Sequence, residues 1–135
     1  MHKFPINNYR NFSELPLDKF ETFKFSVYII DFEWNYMFVN EFVRTNLGPR
    51  AENIIGKNMW KEFPELEKSA AFSQLKEKMD ARVPCSFETT SPVNGKRLYI
   101  TGFPLDDCFY FTSSILPDKQ ELMNELRSML SKRKE

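Results

Sequence analysis

Few residues in this sequence have the types and spacing that catalysis requires. The single histidine, His2, stands near the amino terminus, and the adjacent Asp106 and Asp107 are the nearest approach to a carboxylate pair. Neighbouring residues in a strand or turn point apart, so this pair favours a turn over acid–base chemistry. The sequence also lacks a Gly-x-Ser-x-Gly elbow, a phosphate-binding glycine loop and a His-Glu-x-x-His zinc helix. It therefore predicts no catalytic and no metal-ligating residues.

The two cysteines could form a disulfide only if their backbones came close together. Cys85 and Cys108 fall on the third and fifth predicted strands. If the fourth strand lies between them, their backbones are about 9.6 Å apart, twice the ~4.8 Å strand spacing. A disulfide requires Cα atoms within roughly 7 Å. We therefore expect two free thiols, which suits a reducing compartment and makes them either small core residues or redox sensors.

The composition indicates one soluble domain. The chain has 135 residues, and its 19 Lys and Arg residues balance its 19 Asp and Glu residues. This length is typical of a single domain, and a net charge of zero provides no field that attracts nucleic acid. No segment approaches the ~20 apolar residues of a membrane helix, and the start has no signal-peptide pattern. We therefore expect a cytoplasmic protein that binds neither nucleic acid nor membrane.

The hydrophobic patterns predict two early strands, several helices, three late strands and a terminal helix. The predicted strands are Phe25–Asp31, Tyr36–Asn40, Cys85–Ser91, Lys96–Phe103 and Cys108–Ile115, and the internal helices are Asp18–Lys24, Glu41–Leu47, Ala51–Ile55, Met59–Glu62 and Glu65–Arg82. Asn94-Gly95 is a strong hairpin signal between the third and fourth strands. This order predicts an α+β fold, a five-stranded antiparallel sheet with short helices on one face.

Both ends of the chain extend beyond this sheet. We expect residues 1–24 to form an irregular lead-in with one short helix. Residues 25–116 are expected to form the main domain, and residues 117–135 an amphipathic helix. Asp118 can cap that helix, with Glu121 in capping-box position. Its apolar face consists of Leu122, Leu126, Met129 and Leu130. The stripe is too short for an independent coiled coil, so folding back on the sheet and pairing in a dimer both remain open.

A series of short motifs follows a fixed order between Phe25 and Leu116. The motifs are the strand ending at Asp31, the Tyr36–Asn40 strand, Asn40-Glu41-Phe42, Leu47-Gly48, Ile54–Lys57, Met59–Pro64 and Leu98–Leu105. In order and spacing they resemble a PAS domain, a sensory and interaction module of bacterial kinases and transcription regulators. The resemblance implies a PAS-like sheet and a signalling function without catalysis.

The resemblance also bears on cofactors and on signal output. Haem-binding members of the family use a histidine on the helical side, and flavin-binding members use a cysteine after the small helices. The only histidine, His2, is not on the helical side, and the stretch that corresponds to the cysteine motif, Gly56–Trp60, has no cysteine. We therefore expect no haem, flavin or thiol-linked pigment, while an unidentified small-molecule ligand stays possible. The family often closes its last strand with Asp-Ile-Thr, whereas this chain has Ser114-Ile115-Leu116 and keeps only the isoleucine.

The aromatic residues are the candidates for a ligand site. Phenylalanine supplies 14 residues, against five tyrosines and two tryptophans. PAS sandwiches often hold a small apolar or aromatic molecule, and the resemblance implies the ligand-binding residues Phe38, Phe42, Trp60, Phe63, Phe72, Phe87, Tyr99 and Phe111. Solid packing of these rings and an apolar pocket both remain open. Arg44, Arg82 or Arg97 could pair with a ligand carboxylate.

The sequence thus supports three functional hypotheses. The first is a non-enzymatic sensory module that binds a small apolar or aromatic ligand or forms a homodimer, with a signalling kinase or output domain as partner. The second is a small α+β enzyme with Asp31 or Glu88 as a carboxylate in the cavity, which a strongly raised pKa would indicate. The third is a dimerisation module without a ligand.

Overall fold

The computed structural model describes residues 8–117 and 119–133, and these form one sheet with five α-helices. The strands are β1 (Ser26–Asp31), β2 (Tyr36–Val39), β3 (Cys85–Thr90), β4 (Arg97–Pro104) and β5 (Cys108–Ile115). The helices are α1 (Leu17–Phe20), α2 (Glu41–Leu47), α3 (Met59–Glu62), α4 (Ala70–Asp80) and α5 (Lys119–Arg133). The strand order is β2-β1-β5-β4-β3, and every neighbouring pair is antiparallel. The predicted α+β fold with a five-stranded antiparallel sheet is therefore confirmed.

The sheet is covered on both faces, because successive side chains of a strand point to opposite sides. In β1, Ile30 belongs to the core under α2, α3 and α4, which we call the helical face. Val27 and Ile29 belong to a second core, on what we call the lead-in face. Burial on both faces explains why this strand is apolar at nearly every position.

The lead-in is a packed part of the molecule. Leu15 and Phe20 are 7% and 0% exposed, and they lie in the same core as Val27 and Ile29. The helix α1 follows Pro16 and ends at Phe20, so it begins before the predicted cap Asp18 and is shorter than predicted. Proline fits at this point because the first turn of a helix does not need its missing N–H. Residues 1–7, including His2, lie outside the described residues.

The turn between β4 and β5 also binds the lead-in, at Arg10 and Phe12. The backbone N–H of Asp106 donates to the carbonyl of Arg10 at 2.7 Å, and the Asp107 carboxylate accepts from the N–H of Phe12 at 2.9 Å. The two aspartates thus act in a turn, as the sequence indicates.

The predicted helix over Glu65–Arg82 is two elements. A 3₁₀ segment spans Pro64–Lys68, and α4 begins at Ala70 after Ser69, whose hydroxyl accepts from the N–H of Phe72 at 3.4 Å. A serine that hydrogen-bonds the following backbone ends one helical segment and caps the next. The predicted apolar stripe of α4 is confirmed, because Phe72, Leu75 and Met79 are all buried.

Two further boundaries differ from the predictions. The helical turn expected over Ala51–Ile55 lies earlier, as a 3₁₀ segment at Gly48–Ala51 that contains Pro49. Asn94-Gly95 does lie between β3 and β4, but within a connection of residues 91–96. Ser91 closes this connection, since its carbonyl accepts from the N–H of Gly95 and its N–H donates to Lys96, both at 2.8 Å. Gly95 has φ +75°, a conformation that glycine adopts without steric penalty.

The cysteines lie on β3 and β5 with β4 between them, as predicted, and both are free thiols. They also belong to opposite faces of the sheet. Cys85 packs against the core of the helical face, whereas Cys108 is fully buried under the lead-in. Burial, with smaller effects of Asp107 and Asp31, raises the pKa of the Cys108 thiol to about 12. The thiolate needed for redox chemistry is therefore strongly disfavoured at this position.

The terminal helix α5 presents an apolar stripe to solvent. Met123, Leu126, Met129 and Leu130 are 47%, 45%, 59% and 56% exposed. These side chains are therefore not buried against the sheet. The predicted cap, Asp118, lies outside the described residues. In the part of the chain that the structure describes, every helix falls short of the length and apolar character that crossing a membrane requires.

Candidate ligand-binding cavity

A cavity of about 100 Å³ lies between the helical face of the sheet and the helices α2, α3 and α4. Most of its wall is apolar. The apolar lining consists of Val43, Leu47, Met59, Phe63, Leu66, Phe72, Leu75, Val93, Leu98, Ile100, Phe111 and Ile115. A dry cavity of about 150 Å³ with such a lining is known to accept benzene. The present cavity is somewhat smaller, so it suits an apolar group of at most about one aromatic ring.

Asparagine and serine caps place the helices that form the roof. The Asn40 side chain caps α2 by accepting from the N–H of Val43, and the Asn58 side chain caps α3 by accepting from Trp60 and Lys61. Each cap satisfies N–H groups that have no partner inside the helix. These residues let very short helices begin at fixed points above the sheet.

The floor of the cavity depends on the close approach of the Phe111 ring to the backbone of Gly102. A Cβ atom at this position would lie 2.9 Å from Cε1 of Phe111 and 3.0 Å from the sulfur of Met79. Such distances are shorter than a carbon–carbon or carbon–sulfur contact allows. Glycine therefore lets the Phe111 ring lie flat across β4, where it forms part of the cavity wall.

The two tryptophans lie in the core on the same side of the sheet. The Trp34 ring stacks on Phe111 at 5.8 Å and meets the Trp60 ring edge-on at 5.3 Å. Trp34 also donates its indole N–H to the carboxylate of Asp80 at 2.9 Å. Trp60 is 7% exposed and does not line the cavity.

One end of the cavity carries three hydroxyl groups. Ser26 and Ser113 are direct partners across β1 and β5, and both side chains are buried. The phenol of Tyr28, which stands two residues further along β1 on the same face, lies near both serine hydroxyls. Burial raises the pKa of Tyr28, and the two serine hydroxyls partly offset that effect. The cluster is therefore uncharged at neutral pH.

Tyr36 adds a second buried phenol, beside Phe63 at the roof. Burial raises the pKa of Tyr36 well above its usual value, and the nearby Tyr28 and Glu62 act in the same direction. Outside the cavity, the Arg50 guanidinium lies 4.4 Å from the Phe63 ring centre and pairs with Glu65 at 2.7 Å. This pair covers the aromatic roof on its solvent side.

The described lining contains no charged side chain. Asn46, Asn94 and Ile115 line the cavity and are exposed, so they mark its opening to solvent. The arginines suggested as carboxylate partners lie elsewhere. Arg44 pairs with Glu21 and Arg97 with Glu88, both at 2.9 Å, and Arg82 stacks on Phe32 at 3.6 Å.

The structure brings together three of the eight predicted ligand-binding residues. Phe63, Phe72 and Phe111 line the cavity. The other five lie outside its lining. Phe87 packs edge-on against Phe72 on the helical face, Trp60 lies in the core, and Phe42 is half-buried on α2. Phe38 packs in the core of the lead-in face, and Tyr99 points to that face because it alternates with Ile100. A ligand-binding role stays a prediction for each of the eight.

The carboxylates of the enzyme hypothesis are engaged away from the cavity. Asp31 accepts from the backbone N–H groups of Glu33 and Asn35 at 2.9 and 2.8 Å, which shapes the turn after β1. Glu88 is exposed and pairs with Arg97. Among the described residues, no group of three or more His, Cys, Asp or Glu side chains is placed to hold a metal ion.

The sequence analysis missed the polar residues of the cavity, Ser26, Tyr28, Ser113, Tyr36, Ser91, Asn46 and Asn94. The signal for the first three lay in the strand register. Once β1 and β5 are paired antiparallel, alternation places Ser26 and Tyr28 on one face with Ser113 opposite. The two asparagines carry no comparable signal, because they lie on a helix surface and in a loop.

The architecture matches PAS domains of known structure. The PAS domain of BvgS from Bordetella pertussis superposes with a TM-score of 0.62 at 16% identity, covering 86% of this chain and 94% of that chain. The photoactive yellow protein domain of the sensor histidine kinase Ppr from Rhodospirillum centenum gives 0.60 at 17% identity, covering 75% and 94%. The PAS domain of the Cronobacter turicensis quorum-sensing receptor RpfR, in complex with BDSF, gives 0.54 at 12% identity, covering 70% and 96%. The sequence alone matches no protein-family model and no curated protein. The predicted resemblance is confirmed at the level of architecture: the chain has a PAS-like fold.

Proposed function

We propose that this chain is a non-enzymatic sensory module that binds a small molecule in the cavity under α2, α3 and α4. The observation that carries the proposal is an apolar cavity that opens to solvent and has a buried polar end. Ligand sites in proteins commonly combine an apolar wall with a few placed polar groups. The similar RpfR domain, solved with BDSF, and the Ppr domain, from a sensor histidine kinase, are in keeping with this role.

Filling the cavity is expected to remove binding of a small apolar probe. Leu47 ends α2, lines the cavity and is only half-buried, so Leu47→Trp can place its ring in the cavity without displacing the core. We expect the dissociation constant for benzene to rise at least about tenfold. It is measured by NMR titration of the Val43, Leu75 and Ile100 methyl groups.

The matched control is Val83→Trp, at a position that is 46% exposed and does not line the cavity. This variant should bind benzene as the unchanged chain does. If the unchanged chain gives no cavity-specific shifts, or if both variants bind equally, the receptor proposal is wrong.

We further propose that the module pairs with a second copy of itself through the exposed stripe of α5. A helix that shows four apolar side chains to solvent gains stability when another surface covers them. In a longer signalling protein, the same helix would connect the module to a kinase or output domain.

A charge within the stripe is expected to dissociate this dimer. Leu126→Glu removes one apolar contact from each copy and places two carboxylates close together. We expect the dimer dissociation constant to rise about tenfold or more, as sedimentation equilibrium would measure. Ser128→Glu adds the same charge about 200° around the helix, on the opposite side, and should leave the dimer intact. A protein that is monomeric at high concentration would contradict the pairing.

The two remaining hypotheses give different results in these experiments. A dimerisation module without a ligand would respond to Leu126→Glu but would bind no benzene. The enzyme hypothesis places a carboxylate in the cavity, and the described lining has none. The uncharged lining supports the non-enzymatic hypothesis.

A further inference from the structure

The polar end of the cavity has hydrogen-bonding capacity for a ligand. The hydroxyls of Ser26, Tyr28 and Ser113 carry three protons and six lone pairs in total. Even when the tyrosine bonds both serines, only two protons and two lone pairs are used. The cluster can therefore still donate one hydrogen bond and accept several. Ile115, which follows Ser113 by two residues on β5, also lines the cavity and is exposed. A ligand can therefore reach this end of the cavity from solvent.

The same end has no group that could neutralise a charged ligand. The described lining contains no arginine, lysine, histidine or carboxylate. The nearby arginines are already engaged, Arg50 with Glu65, Arg44 with Glu21 and Arg97 with Glu88. An ion moved from water into this space would lose its hydration and gain only neutral hydroxyls.

We infer that the cavity selects an uncharged ligand with an apolar body of about one ring and a single hydroxyl or carbonyl group, which hydrogen-bonds the Ser26–Tyr28–Ser113 cluster. The inference rests on the proposed receptor function and names its ligand class. It excludes carboxylic acids, which ionise at neutral pH. It also ranks a ligand with one polar group above a pure hydrocarbon, because the hydrocarbon would leave the cluster without a partner.

Three probes of matched shape test this inference at pH 7: 4-methylphenol, toluene and 4-methylbenzoate. They differ only in carrying a hydroxyl, no polar group or a carboxylate. We expect 4-methylphenol to bind about tenfold more tightly than toluene, as one neutral hydrogen bond provides. We expect 4-methylbenzoate to bind ~100-fold more weakly than 4-methylphenol. Dissociation constants come from the same NMR titration.

The decisive variant removes all three hydroxyls, as Ser26→Ala, Tyr28→Phe and Ser113→Ala together. These changes keep the shape of the cavity and replace all three neighbouring hydroxyls by apolar groups together, so none is left beside a lost partner and the variant should fold. We expect its affinity for 4-methylphenol to fall about tenfold and its affinity for toluene to stay unchanged or rise. The control is Thr101→Val with Thr112→Val, which removes a bonded hydroxyl pair from the opposite face of β4 and β5. It should change neither affinity.

The outcomes separate this inference from the receptor proposal. Preferential binding of toluene or 4-methylbenzoate overturns the ligand class and leaves a receptor with another specificity. An unchanged affinity for 4-methylphenol in the triple variant overturns the role of the cluster. If none of the three probes binds, and benzene does not bind either, both proposals are wrong.

Discussion

Asn40→Ala is expected to lower the free energy of unfolding by about 3–5 kcal/mol, far more than loss of a helix cap alone. Asn40 is fully buried, and its side chain makes four hydrogen bonds. The amide oxygen accepts from the N–H groups of Val27 and Val43 at 3.1 and 3.2 Å. The amide nitrogen donates to the carbonyls of Phe20 and Phe25, both at 2.9 Å. This is the full capacity of an amide side chain.

Alanine at this position would leave partners from three elements unsatisfied. The lead-in, β1 and α2 all converge on this one amide, and each buried polar group without a partner costs about 1–3 kcal/mol. Chemical denaturation followed by circular dichroism measures the effect.

Asn58→Ala provides the control, because Asn58 caps α3 in the same way but is only half-buried. Its loss should cost about 1 kcal/mol. Equal effects of the two substitutions would show that Asn40 acts as a cap and does not hold the lead-in.

Phe20→Ala is expected to lower the free energy of unfolding by about 3–5 kcal/mol, as for other buried phenylalanines. The Phe20 ring is 0% exposed. It contacts the rings of Phe23, Phe38 and Tyr110, with centre-to-centre distances of 5.6, 6.3 and 5.5 Å. Its truncation would open a cavity on the lead-in face and leave Val27 and Ile29 partly uncovered. Thermal and urea denaturation measure the loss.

The control for this substitution lies two residues away in the same helix. Asp18 is exposed, so Asp18→Ala should change stability by no more than about 0.5 kcal/mol. A loss below 1 kcal/mol for Phe20→Ala would mean that the lead-in does not cover the sheet in solution. The boundary predicted after residue 24 would then separate an independent segment from the domain.

The strand pattern was largely predictable from sequence, because β-branched and aromatic runs separated by turn residues have few alternatives. The first strand illustrates this point, since its unbroken apolar run predicted burial on both faces and the structure shows both cores. What the run did not indicate was which segment covers the second face. Pro5, Asn7, Asn8, Asn11 and Pro16 predict an irregular segment there, and a segment without long regular structure can still bury side chains against a sheet, as Leu15 and Phe20 do.

The residues of the cavity were harder to predict than the fold. The predicted ligand-binding residues were chosen by ring type, whereas strand alternation decides which rings reach the helical face. Phe38 and Tyr99 point away from the helical face for this reason. In β2 a bulge at Met37 also shifts the pairing from Ile29–Phe38 to Ile30–Tyr36. The division of the longest helix at Ser69 was also missed, because a serine within a helical pattern carries no strong signal of a break.

The positions of the two tryptophans give the chain a built-in optical probe. They are the only indoles in the sequence, both are buried, and their rings are in contact. Trp34 also stacks on Phe111, whose ring forms part of the cavity wall. A molecule entering that space meets a ring in direct contact with a fluorophore, so tryptophan emission can follow its occupancy without any attached dye.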